Sequence, residues 1–190
     1  AFGGMVRLSR ATAVEGLTST VRQEDGKRRL AFVAQRLPPY GFRQFQLVSS
    51  ASPPRATTAL RGDGGTLAGP FYRLRANLQH GGLDSLVHLA TGQELVLAAP
   101  GRSLGQTVSF DGQEHTLSEI ECTTHVDDVT AELCMTGRAA DLHVTTTVTL
   151  YAEIDRVDFD VRVDKSPTTQ QQRLLHFFPF SDGADDVLIE

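Results

Sequence analysis

Carboxylates are the first residues in this sequence whose spacing could do chemistry. Asp182, Asp185 and Asp186 form the densest acidic cluster, directly after an apolar run. Two carboxyl groups about 5 Å apart across a cleft, one of them held protonated, can cleave a glycosidic bond with retention. The default for such a cluster is a solvated loop. Asp158, Asp160 and Asp164 fall on alternate positions of one segment. That spacing places them on one exposed strand face rather than around a site.

Six histidines, His80, His88, His115, His125, His143 and His176, are scattered along the chain. None has the closely spaced partner that a zinc site uses. His176 stands apart, because it lies among Leu and Phe just before Pro179 and the acidic cluster. A buried, hydrogen-bonded imidazole is the expectation there, with ligand or general base as the alternative. His143 falls on a polar face. Ser103, in Gly101-Arg102-Ser103-Leu104-Gly105, is not expected to act as a nucleophile. Gly62-Asp63-Gly64-Gly65 is glycine-rich but precedes a strand, so it offers no helix N-terminus to a phosphate. A flexible linker is expected there instead.

The 190 residues carry 18 Lys and Arg against 23 Asp and Glu, a net charge of −5. No basic stripe stands out, which argues against nucleic acid as the main partner. No run of about 18 apolar residues exists, so no membrane span is expected. Two cysteines are too few for a disulfide framework. The opening Ala1-Phe2-Gly3-Gly4 has neither the basic start nor the apolar core of a secretory signal. Localisation is left open.

The elements that must position these residues are strands. Val144, Thr146, Val148 and Leu150 alternate with Thr145, Thr147, Thr149 and Tyr151, a β-branched run suited to a sheet. Val157, Phe159, Val161 and Val163 alternate with Asp158, Asp160, Arg162 and Asp164, so one side is apolar and the other charged. Glu153-Ile154-Asp155 connects the two. Upstream, Ile120, Cys122, Thr124 and Val126 share a face, as do Val129, Ala131, Leu133 and Met135, with Asp127-Asp128 as a tight turn. A four-stranded meander over about 118–164 is predicted. With a two-residue loop, Cys122 would face Leu133 and Cys134 would face Glu121. The two cysteines would then lie on opposite faces as free thiols.

Residues 72–78 and 83–89 form two more strands around Gln79-His80-Gly81-Gly82, and Thr91-Gly92 turns into 94–97. Arg173 to Phe180 shows little alternation and is expected to be buried on both faces. Short strands are expected over 14–21, 29–34 and 42–48. A polar, Pro-rich stretch from Ser49 to Pro54, followed by Arg61 to Gly65, marks a boundary. Residues 1–60 are assigned to a small β domain and linker, and 61–190 to the first part of a larger β-sandwich.

Three ordered segments resemble the post-catalytic β region of family 38 glycoside hydrolases, the α-mannosidases. The first is Leu30 to Ala34 followed by Leu37-Pro38-Pro39-Tyr40-Gly41-Phe42. The second is Gly69-Pro70-Phe71-Tyr72-Arg73-Leu74, then Gly81-Gly82-Leu83-Asp84-Ser85-Leu86, then Thr91-Gly92-Gln93-Glu94-Leu95. The third is Val148-Thr149-Leu150-Tyr151 with Asp155-Arg156-Val157-Asp158-Phe159, then His176-Phe177-Phe178-Pro179. Two departures are visible: Gly69-Pro70 stands where the family has Asn, and Lys165 where it often has Trp.

The resemblance implies an all-β fold, a small sandwich followed by part of a large antiparallel supersandwich of the galactose-mutarotase type. It implies an accessory role beside a catalytic domain outside this chain, with any carbohydrate contact indirect. The zinc ligands and the nucleophile would belong to that domain, so no cofactor is expected here. His176, Asp182, Asp185 and Asp186 are the candidates for substrate contact. The end at Asp186 to Glu190 reads as a strand in progress, so self-association through open strand edges is expected. A stand-alone carbohydrate-binding or structural β-sandwich is the alternative.

Overall fold

A computed structural model describes residues 12–24, 26–35, 37–49, 60–97, 99–165, 167, 169 and 171–181. Every regular element among them is a β-strand. Four short strands come first: β1 (Ala13–Val14), β2 (Ser19–Glu24), β3 (Lys27–Phe32) and β4 (Leu47–Val48). Five follow in series: β5 (Arg61–Asp63), β6 (Thr66–Ala68), β7 (Tyr72–Ala76), β8 (Leu83–His88) and β9 (Gln93–Glu94). After β10 (Gln106–Phe110) and β11 (Glu114–Thr116) come the long strands β12 (Ser118–Val126), β13 (Thr130–Ala139), β14 (Leu142–Tyr151) and β15 (Val157–Asp164). The last is β16 (Arg173–Phe177).

All pairings are antiparallel, and the two main sheets are simple meanders, β5-β6-β7-β8-β9 and β12-β13-β14-β15. The second spans the residues over which alternation predicted a meander. The two sheets pack face to face. Leu67, Leu74 and Leu86 lie in one cross-strand row of the first, and they share a core with Leu133, Met135, Val148 and Leu150 of the second. Leu67, Leu74, Leu133 and Leu150 expose at most 1% of their surface. Burying each such side chain contributes about 1.5–3 kcal/mol. Gly62 lets the sheets approach: a Cβ there would come within 3.1 Å of Val126 and 3.3 Å of Thr124. A smaller cluster of Leu117, Ala139, Leu142 and Val144 fills the other end.

The N-terminal hairpin β2–β3 is tied to the second sheet by Arg22. Its guanidinium lies 2.6 Å from Asp127 Oδ2 and 2.9 Å from Glu132 Oε1, and also bonds the Thr130 hydroxyl. One arginine thus spans a connection and a strand more than 100 residues away in the chain.

Three expectations are corrected. Asp127-Asp128 is not a two-residue loop. Val126 pairs with Ala131, leaving four residues in the turn. Asp127 shapes it, its Oδ1 accepting from the N–H groups of Val129 and Thr130 at 2.8 Å. Cys122 therefore pairs with Met135, and Cys134 with Thr123. The register moves by two residues, so facing is preserved: Cys122 packs against the core, Cys134 sits on the other face, and both are free.

The stretch Arg61 to Gly65 is not a linker. Gly64 and Gly65 have φ of +51° and +91° and sit between the paired residues Asp63 and Thr66. Two left-handed residues are what a tight hairpin turn needs, and glycine adopts them without steric cost.

The segment from Arg173 onward is not buried on both faces. Among the described residues β16 pairs only with β10, and Leu174, Leu175, Phe178 and Phe180 remain 43–46% exposed. β16 belongs to a third, three-stranded sheet, β11-β10-β16, and beyond it the chain crosses to the segment after β9: Leu97 N–H donates to Pro179 O at 2.9 Å, and Ser181 N–H to Leu95 O at 2.8 Å.

Candidate functional site

The sandwich gathers parts of the second and third sequence segments singled out above, with Gln35 from beside the first, at one end. Tyr72 and His88 are cross-strand partners on β7 and β8, with ring centroids 5.3 Å apart. Asp155, in the connection between β14 and β15, lies 3.5 Å from His88 Nε2. His88 Nδ1 is 3.0 Å from Thr91 Oγ1, so both ring nitrogens have polar neighbours. The Tyr72 phenol is pushed up to about 12, first by burial and then by the Asp155 carboxylate. Beside this group, Tyr151 donates to Asp158 Oδ2 at 2.6 Å, and Arg156 grips the same carboxylate. Tyr151 is likewise pushed up to about 12 by burial and by Asp158. From the first segment's side, Gln35 donates to Glu153 Oε2 at 2.9 Å.

This constellation fastens loops together. The phenols stay protonated at neutral pH and act as donors, and Asp158 has both oxygens occupied. Burial works against the charge on Asp158, yet the bonds from Arg156 and Tyr151 outweigh it and hold the carboxyl below its ordinary range. The same direction holds elsewhere. Glu94 is exposed but loses some solvent, and the Ser85 hydroxyl and the N–H groups of Leu86 and Val96 outweigh that loss and keep it ionised. His115 lowers Asp111, and Arg102 lowers Glu114. A general acid for glycoside cleavage needs the opposite, a carboxyl raised toward neutral pH.

His176 is exposed on β16, whereas a buried imidazole was expected. It is hydrogen-bonded, with Nδ1 2.9 Å from Thr107 Oγ1, and its ring meets Phe178 edge-on at 4.8 Å. Loss of water around the ring lowers its pKa, favouring neutral imidazole. Asp182, Asp185 and Asp186 lie outside the described residues. His143 is exposed on β14, as its alternation requires, and Asp160 and Asp164 are exposed on β15. Asp158 differs, drawn into the cluster with Tyr151.

Gly101-Arg102-Ser103-Leu104-Gly105 carries the glycine spacing of a nucleophile elbow, a pattern that needs a strand-to-helix turn. Here it leads into β10 instead. Ser103 is 3% exposed, and its Oγ accepts from Asn77 Nδ2 at 2.9 Å. Among the described residues no group of three His, Cys, Asp or Glu could hold a metal ion. An open cleft of about 950 Å³ lies at the β10–β11 turn, lined by Phe110, Asp111, Gln113, His115 and Arg173. Asp111 and His115 bind one another across it at 2.9 Å.

No family model matches the chain, and no curated protein matches it either.

The Tyr72–His88–Asp155 contact was missed by sequence reasoning. Tyr72 and Asp155 each stood inside a segment already singled out, but nothing in one dimension signals that residues 83 positions apart meet.

Proposed function

We propose that this chain is an accessory β-sandwich region of an α-mannosidase-like glycoside hydrolase, supporting a catalytic domain and its substrate cleft and inactive alone. The observation that carries the reading is the convergence at one end of the sandwich. Gln35, beside the first segment, meets Glu153. Tyr72 of the second meets Asp155 of the third. Residues that fasten one another this way form a unit, which explains why their order in the chain is coherent.

Two further features support an accessory role. Carboxylates with shifted pKa values are held ionised, which suits structural anchoring. The exposed apolar stripe of Leu174, Leu175, Phe178 and Phe180 is the kind of surface that seats another domain. On this reading the large meander is the start of a supersandwich, and zinc would sit in the catalytic domain. The second reading is a stand-alone carbohydrate-binding or structural domain. It is favoured by the closed core between the two main sheets, which needs no partner to exclude water.

The test is an aryl α-mannoside assay with added zinc, on these 190 residues and on a longer parent protein. The chain alone should show no turnover. In the parent, Leu175→Asp combined with Phe178→Asp should reduce active enzyme at least several-fold. Both side chains are already half in water, so the same changes should leave the melting temperature of the isolated chain nearly unchanged. Turnover by the chain alone, or a parent indifferent to both changes, would overturn the accessory reading.

A further inference from the structure

The solvent face of the five-stranded sheet carries an arrangement that none of this uses. Alternation along β5 and β7 puts Arg61, Arg73 and Arg75 on the side opposite the core. Register then brings them together. Arg61 pairs with Ala68 and Ala68 with Arg73, so the two arginines flank a small residue in one cross-strand row. Arg75 stands in the neighbouring row, between Thr66 and Ser85. Strands about 4.8 Å apart separate the Arg61 and Arg73 backbones by about 10 Å, while Arg73 and Arg75 are about 7 Å apart along β7. A groove of about 450 Å³ lies among them, with Ala68 and Thr66 also in its lining.

These three guanidinium groups have no hydrogen-bond or ion-pair partner among the described residues. Four other arginines, Arg22, Arg102, Arg156 and Arg162, are each held by carboxylates; Arg28, Arg138 and Arg173 also lack a side-chain partner among the described residues, but none of those three lines this groove. The nearest acid in the Arg73 row, Glu94, pairs across from Val87 and is occupied by Ser85 and two backbone N–H groups. Asp63 lines the groove but forms no ion pair with any of the three. The lining therefore holds three positive charges against one negative, with the ionised Glu94 at its rim on Ser85, in a chain whose net charge is −5. Like charges gathered on one small face repel each other, and a sequence with this many acids could have paired them.

We propose that this groove binds a small polar ligand through a phosphoryl or sulfuryl group, gripped by Arg73 and Arg75 and closed by Arg61 across Ala68. A guanidinium is a planar fork that meets two oxygens of a tetrahedral oxyanion at once. The net positive charge of the groove suits an anionic ester. The volume falls within the range of small-molecule sites, about 300–1,000 Å³. The positive charge is a compact patch and not a track along the surface, which favours a small molecule over a nucleic-acid strand. This inference stands apart from the glycoside-hydrolase reading and does not need it.

Titration calorimetry on the full chain tests it, with glucose, glucose 6-phosphate, glucose 6-sulfate and inorganic phosphate as probes. At least one charged ester should bind tenfold or more tightly than glucose, and the tighter one identifies the oxyanion. Arg73→Gln with Arg75→Gln should weaken that binding at least tenfold, and Arg61→Gln alone should weaken it measurably. Arg162→Gln, on the other sheet, should not. These are exposed positions, so a thermal melt should show each variant folded. Equal affinity for glucose and both esters would overturn the proposal. So would binding that survives the double change, or binding that Arg162→Gln weakens as much.

Discussion

Tyr72 and Tyr151 are two of the three tyrosines in the chain, and each donates toward a carboxylate that would repel it if it ionised. Their folded pKa values of about 12 lie above the ordinary 10.0. A group whose pKa is raised by folding contributes stability that is fully present below its unfolded pKa. That contribution disappears as pH rises through the folded value. The chain should therefore lose stability between about pH 10 and pH 12. Phenolate absorbance should show two groups titrating late, and Tyr151→Phe should remove part of the alkaline slope in urea midpoints. Two phenols titrating near 10 in the folded chain would mean that the cluster with Asp155 and Asp158 does not form.

At the scale of elements, the entry to β10 depends on Gly105. Its φ is +74°, and a Cβ there would lie 2.7 Å from the Phe159 ring. Left-handed backbone costs an ordinary residue about 1–2 kcal/mol, and overfilling a packed contact adds about 1–3. Gly105→Ala should destabilise the chain by about 2–5 kcal/mol in urea unfolding. A change below about 1 kcal/mol would show that β10 and β15 are not in firm contact at that point. Legibility from sequence also divides at this scale. The meander of β12 to β15 was readable because β-branched residues alternated over long strands with polar partners. Its register was not, because Asp127 builds a four-residue turn through side-chain bonds that alternation does not report. Arg173 to Phe180 was misread for a related reason. A run of Leu and Phe says that a segment prefers contact, not which of its faces finds one. Gly64-Gly65 was misread as a linker because a tight turn and a flexible joint use the same residues. The Tyr72–Asp155 cluster was not legible, since it depends on how two separate sheets stack.

At the scale of the whole molecule, the last described stretch behaves like a clasp. It joins β10 first and then Leu95 to Leu97, so it links the three-stranded sheet β11-β10-β16 to the segment that follows β9 of the five-stranded one. The partners are far apart in sequence: Thr107 and His176 are separated by 69 positions, and Gln93 and Ser181 by 88. The meander from Ser118 to Asp164 closes through neighbouring strands, and its contacts are local by comparison. Long loops are slow to close because the entropy of bringing their ends together is lost before any contact forms. During synthesis the meander can emerge and pair before Arg173 exists. Hydrogen exchange should follow the same order, with β13 and β14 amides exchanging slowest and those of β16 opening at lower free energy. Equal protection in β14 and β16 would mean the clasp is part of one cooperative unit. If instead it opens first, this stretch sets when the sandwich stops being an open meander. A ribosome pausing just before Arg173 would then hold the protein with its longest-range join still unmade.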